Sequence, residues 1–138
     1  MLYNGNDSMA RFWSRTEQMH LSYIFGTIIF TVYGQLVLKW RISAYGTLPE
    51  PFFLKMLFLL KLFIYPYILS GFISAFFASL CWMAAMTKFS LNYAYPFMGL
   101  NFVLVLLLSG FLFHETITTL KIIGIILVVS GIIIGSQG

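Results

Sequence analysis

Residues 21–38 read LSYIFGTIIFTVYGQLVL, a run without one charged side chain. Wound as a helix at 1.5 Å per residue it covers about 27 Å, close to the roughly 30 Å hydrocarbon core of a bilayer. Three further stretches follow the same rule: Phe63–Met86, Tyr95–Phe113 and Ile117–Ile134, with Lys121 the only charge among them. Four such runs predict an all-α protein, a four-transmembrane-helix bundle over residues 21–138, preceded by a polar segment at residues 1–20. Every polar side chain inside those runs then needs a partner or a task.

The composition agrees. Of 138 residues 60% are hydrophobic and 9% charged, against about 25% charged in an ordinary soluble domain, and the mean hydropathy is +0.92. Four helices leave no room for a soluble catalytic module. A net charge of +4 spread over so few groups belongs to helix ends among anionic headgroups and predicts no nucleic-acid partner. The single cysteine, Cys81, excludes an intrachain disulfide and reads as a small packing residue. The run after the polar segment Met1–His20 is too long for a signal-peptide core and lacks a small-residue cleavage site. It predicts an uncleaved first helix.

Between the first two spans, Ser43–Pro51 holds the breakers Gly46, Pro49 and Pro51. Phe52–Leu62 is apolar apart from Lys55 and Lys61, too short to span and too apolar for a solvated loop. The insert at residues 43–62 therefore reads as an interfacial segment with snorkelling lysines, or as an extension that tilts the second span. In that span Ser70, Ser74 and Ala78 recur every four residues and predict a face that another backbone can approach closely. Asn92 is a candidate N-cap, with Pro96 in the first turn of the third span. In the fourth, Gly124, Val128, Gly131 and Gly135 form one small stripe and predict a dimer interface. The basic residues divide almost evenly between the two sides, with Arg11, Arg15 and Lys88 opposite Lys39, Arg41, Lys55, Lys61 and Lys121. That division mildly favours an inside first loop and permits dual topology or an orientation fixed by a partner.

Helices one and three run the same way, so Lys39 and Arg41 lie level with His114 and Glu115. A carboxylate and two cations at one depth can pair with each other or hold an anionic headgroup. Gln35 lies one turn before Lys39 on the same face, Asn101 lies deeper, and Tyr95 marks the opposite membrane edge. As neutral polar groups they serve either as interhelical glue or as substrate contacts. The candidate substrate-binding set is therefore Gln35, Lys39, Arg41, Tyr95, Asn101, His114 and Glu115. No phosphate loop, metal-ligand spacing or nucleophile–base arrangement occurs, so no catalytic residue, metal site or cofactor is expected.

Ala94-Tyr95-Pro96-Phe97-Met98-Gly99-Leu100-Asn101-Phe102-Val103, followed by His114-Glu115, resembles the small multidrug resistance-like branch of the drug/metabolite transporter superfamily. Within it the pattern is most similar to the flippase subunits for undecaprenyl-phosphate aminoarabinose, including Gly34-Gln35 with Lys39 and the glycines of helix four. The likeness runs from about Ile24 to Gly135, apart from a longer first loop. It implies a four-helix subunit that pairs antiparallel with itself or with a similar subunit, the pathway lying between the two copies. Drug-exporting members carry a glutamate three residues before the helix-one glycine. Here that position is Thr31, which argues against proton/drug antiport and fits an anionic lipid-linked cargo.

The expectation is a non-enzymatic, multi-pass subunit of the bacterial inner membrane that flips a polyprenyl-phosphate-linked sugar among membrane lipids. The phosphate would pass Lys39, Arg41 and Gln35, while Glu115, His114 and Asn101 meet the sugar. The rivals are a small-solute or drug exporter and a non-transporting accessory subunit of a membrane glycosyltransferase.

Overall fold

Where hydrocarbon replaces water, the backbone has to satisfy its own hydrogen bonds, and a continuous helix does so residue by residue. The computed structural model describes residues 5–138, and among them the chain is helical with no strand: α1 Gly5–Ser43, α2 Phe52–Phe63, α3 Pro66–Met86, α4 Leu91–Phe113 and α5 Thr119–Gln137. α1 runs unbroken for 39 residues, so most of the polar N-terminal segment is a helical extension of the first span. Residues 1–4 of that segment lie outside the described residues.

The breaks fall where the chain cannot continue a helix. Gly46 turns with φ +77°, a region open to glycine without steric cost. Pro66 opens α3 at a position whose N–H would go unused, which separates α2 from the second span. α2 is therefore a helix of its own, held to α3 by the buried Leu62 and by Phe63 against Phe72, ring centroids 4.3 Å apart. Ser90, not Asn92, precedes the first turn of α4, so Pro96 falls inside that helix. There it withdraws one backbone donor.

Among the described residues three helices are long and apolar enough to cross a membrane: Gln18–Ser43 of α1, Pro66–Met86 and Leu91–Phe113. The expected fourth span is shorter, its apolar part running over Thr119–Gly135. The difference arises at its start. Ile117 is drawn back over the end of α4, where it fills the space a Cβ on Gly110 would need. Thr118 is spent as the N-cap, its hydroxyl accepting from the Lys121 backbone N–H at 3.4 Å.

α1 is the hub and packs against α3 and α4, while α5 touches α4 alone. Ile24 and Ile28 are almost wholly enclosed and form the core with Val32, Ala85 and Ala94. α1 and α4 run parallel: His20 meets Phe89 and Phe25 meets Phe97 near their starts, and Lys39 meets Glu115 at their ends. The outward faces carry exposed Phe, Leu and Ile along every helix, a surface suited to lipid.

The contact of α1 with α3 is backbone on backbone. A Cβ on Gly34 would stand 3.0 Å from the Gly71 carbonyl oxygen, and one on Gly71 3.3 Å from that of Gly34. Two hydroxyls bridge the seam. Ser74 Oγ donates to the Phe30 carbonyl at 2.6 Å, and Thr27 Oγ1 donates to the Tyr23 carbonyl at 2.9 Å and reaches that of Ala78 at 3.4 Å. The small face foreseen on this helix is present, centred on Gly71, Ser74 and Ala78, with Ser70 at its edge. By contrast a Cβ added at Gly124, Gly131 or Gly135 would meet nothing within 4 Å. Gly34→Ala should therefore destabilise the protein by about 1–3 kcal/mol through overpacking against a backbone atom. Gly124→Ala should leave stability unchanged, as read from thermal unfolding of both variants in detergent.

Candidate functional site

Thr27, Thr31, Gln35 and Lys39 follow one another at four-residue intervals, which lays them as a polar stripe along one side of α1. From Thr27 to Gln35 the stripe borders a cavity of about 740 Å³ formed by α1, α3 and α4, with Val128 and Ile132 of α5 completing its wall. Thr27, Thr31, Gln35, Ser79, Tyr95 and Asn101 supply its polar side chains, and Trp82, Met98 and Phe102 stand among its apolar ones. Trp82 and Tyr95 meet edge to face, centroids 6.1 Å apart, which fixes both rings at the rim. Gly34 and Gly71 lie in the wall as well, so the seam that joins α1 to α3 also shapes the cavity.

Among the described residues three buried polar atoms lack a partner, His20 Nδ1, Arg41 Nε and the side-chain oxygen of Asn101, and of these only Asn101 belongs to a residue lining the cavity. Its side-chain carbonyl Oδ1 is buried and has no hydrogen-bond partner among the described residues. A buried amide oxygen left unpaired costs about 1–3 kcal/mol. Gln35 and Asn101 also border a second, adjoining space of about 240 Å³ that leads to Ser109. Ser109 lies in the last turns of α4, directly before the segment that carries Glu115.

At that end Lys39 Nζ and Glu115 Oε1 form an ion pair at 3.0 Å, with the two side chains 52% and 37% exposed. The hydrogen bond from Lys39 and then its charge hold the Glu115 carboxyl below the usual glutamate range, with smaller help from Lys121 and the Ser109 hydroxyl. α4 ends in a left-handed residue, His114 at φ 52°, and this reversal turns the chain so that Glu115 faces Lys39.

The candidate residues thus divide into separate groups. Gln35, Tyr95 and Asn101 share the cavity. Lys39 and Glu115 pair beyond it. Arg41 does not join them: two residues from Lys39 it lies about 200° around the helix, facing the other way. Its guanidinium lies 5.1 Å from the Tyr67 ring centroid, 5.7 Å from Tyr45 and 5.8 Å from Trp40, an aromatic box around a cation. His114 is exposed and acts through its backbone. Sequence reasoning overlooked Thr31 as a cavity residue, together with Ser79, Trp82, Phe102 and Ser109. The four-residue spacing on α1 was the signal that could have found Thr31. No group of three or more His, Cys, Asp or Glu able to hold a metal occurs among the described residues.

Comparison with known proteins places this arrangement among transporters. The chain matches the EamA-like transporter family over residues 7–136. It is 36% identical over 55 residues to a probable 4-amino-4-deoxy-L-arabinose-phosphoundecaprenol flippase subunit ArnE of Pseudomonas aeruginosa, covering 40% of this chain and 48% of that protein. It is likewise 36% identical over 67 residues to a probable flippase subunit ArnF of Photorhabdus laumondii, covering 47% and 53%. The chain spans about half the length of the curated relatives it matches. No solved structure matches it.

The depressed Glu115 pKa sets a pH window. The ion pair is fully present above the ordinary glutamate range and is lost only as pH falls through the lowered value. Thermal stability in detergent should therefore decline on acidification below the ordinary range, and Glu115→Gln should diminish that decline. Because both side chains are partly exposed, the difference should be small.

Proposed function

The chain belongs to the EamA-like transporter family, and from that premise we propose that it is a flippase subunit for a polyprenyl-phosphate-linked sugar in the bacterial inner membrane. It is a multi-pass membrane transporter, and its relatives are flippase subunits rather than enzymes. The finer reading adds a place in the small multidrug resistance-like branch, an undecaprenyl-phosphate glycolipid as cargo, and movement from the cytoplasmic to the outer leaflet.

The observation that carries this reading is a cavity lined by Gln35, Tyr95 and Asn101, one turn below Lys39 on α1, with the Asn101 carbonyl oxygen left unpaired inside the protein. A charged headgroup crossing hydrocarbon unaided meets a prohibitive desolvation cost, so the path has to be polar where the headgroup travels. The lipid chain can stay in the bilayer while the phosphate exchanges with Glu115 for Lys39 and the sugar enters the cavity toward Gln35, Tyr95 and Asn101. Glu115 then acts as the placeholder for cargo phosphate, released when the phosphate arrives. Arg41, held among its rings, and His114, at the reversal of α4, meet the headgroup at the mouth.

Such a subunit needs a partner. α5 reaches the length of a fourth span only marginally and packs on α4 alone, with its glycine stripe open. Val128 of that stripe lines the cavity, so a second four-helix subunit of the same kind, docked antiparallel over Gly124, Gly131 and Gly135, would close it.

Purified protein in liposomes should move a labelled polyprenyl-phosphate sugar between leaflets, and the lipid copurifying with it should be identified as such by mass spectrometry. Lys39→Ala and Asn101→Ala should each lower the flux by about tenfold, the loss expected when one charge-assisted or buried contact disappears, with insertion unaffected. Flux of a cationic drug coupled to protons would favour the exporter reading instead. No transbilayer movement, together with a stoichiometric glycosyltransferase complex, would favour the accessory role. Gly131→Leu should weaken subunit association on size exclusion while leaving the fold of each subunit intact.

A further inference from the structure

When a phosphate takes Lys39, the Glu115 carboxylate loses its cation and needs another donor. The chain supplies one beside it. Ser109 lies in the last turns of α4, and the left-handed His114 folds the following residues back over that end. A Cβ on Gly110 would stand 3.7 Å from the Glu115 carbonyl oxygen, and the Ile117 side chain occupies the notch at Gly110. Lys121 Nζ donates to the Thr116 carbonyl at 3.2 Å and ties the returning segment to α5. Glu115 is thereby held next to Ser109, whose hydroxyl already helps to stabilise its charge.

A serine hydroxyl has one proton to donate. Here it goes to the Leu106 carbonyl at 3.1 Å, while Lys39 holds Glu115 at 3.0 Å. Inside α4 that carbonyl has a helix N–H to accept from and does not depend on the hydroxyl. Turning the proton from Leu106 to Glu115 therefore costs little. Ser109 also borders the space of about 240 Å³ that it shares with Gln35 and Asn101. A carboxylate caught by Ser109 clears Lys39 and stays at the border of that space.

We propose that Ser109 is the positioning residue of this exchange, receiving the Glu115 carboxylate when cargo phosphate takes Lys39 and returning it on release. The step rests on the transport reading and adds to it the group that makes room for the phosphate. The charged groups acting on Glu115 are Lys39 from α1 and Lys121 from α5, and His114 precedes it in the chain. Ser109 is the neutral donor among them. Without its hydroxyl the carboxylate stays with Lys39 and competes with the phosphate.

The experiment measures flux of a labelled polyprenyl-phosphate pentose against its mole fraction, in liposomes holding the assembly as purified from its own membrane. Ser109→Ala should raise the half-saturating fraction by about fivefold, the effect of one hydrogen bond to a charge reduced by partial exposure. Ser109→Thr, which keeps a hydroxyl, should restore it. In a Glu115→Ala background Ser109→Ala should change nothing further, since no carboxylate is left to position. No rise, or the same rise with and without Glu115, overturns the proposal and leaves the transport reading standing. If the unmodified protein moves no lipid while folded, the transport reading falls and the proposal with it. A second readout uses Lys39→Ala protein, with the Glu115 carboxylate band identified in infrared spectra by its loss in Glu115→Gln. Adding Ser109→Ala should raise the pH at which that band protonates, because the charged form loses a donor. An unchanged midpoint overturns the proposal even where flux responds.

Discussion

The structure depends on the meeting of two backbones at Gly34 and Gly71. In hydrocarbon there is no hydrophobic gain from pressing two apolar helices together, since lipid chains solvate them equally well. Association has to come from close packing and from polar groups that find partners. The absence of two side chains lets α1 and α3 approach until a Cβ would touch a carbonyl oxygen, and at that distance the hydroxyls of Ser74 and Thr27 reach across to backbone acceptors. Ile24, Ile28 and Val32 then pack on the same side of α1 and bring α4 in parallel. The cavity is the space left where α1 turns its polar stripe toward α4 and no large side chain fills the gap.

That arrangement separates two kinds of polar group. Thr27 and Ser74 are satisfied and hold helices together. Gln35 and Asn101 lie on the cavity, and the Asn101 oxygen has no partner inside the protein. A membrane protein retains an unpaired buried oxygen only against a continuing cost. The charged groups stand apart again, at the membrane edge, where water and headgroups moderate their energies. Lys39 and Glu115 pair there at 3.0 Å, while the Arg41 cation lies among the rings of Trp40, Tyr45 and Tyr67. Neutral chemistry inside and ionic chemistry at the mouth suit an amphiphile whose charge and sugar are different parts of one molecule.

α5 is the least committed element. It touches only α4, its start is shortened by the return of Ile117 over Gly110, and its glycines have no neighbour. A helix so poorly covered by its own chain fits a subunit whose fold is completed by another, and relatives named as subunits fit the same view. α2 presents a parallel case at the opposite end of the order, an apolar helix resting on α3 with most of its large side chains outward.

Composition and run length alone determined that this is a helical membrane protein and where three of its spans lie, because the bilayer imposes a single requirement that uncharged stretches of about 20 residues meet. The resemblance around Tyr95–Asn101 and His114-Glu115 pointed to transport, and the meeting of Lys39 with Glu115 was open to reasoning because parallel helices bring their ends level. Other features depended on rotation about the helix axes, which local sequence does not specify. Tyr95 reads as an edge residue, and only the rotation of α4 brings its ring against Trp82. Lys39 and Arg41 read as a pair until the 200° between them sends one to Glu115 and the other into the rings of Trp40, Tyr45 and Tyr67. Ile117 and Thr118 belong to the apolar run by composition and to the turn by geometry. Sequence fixes what each side chain can do; only packing, by choosing which faces meet, decides which of those capacities share a space.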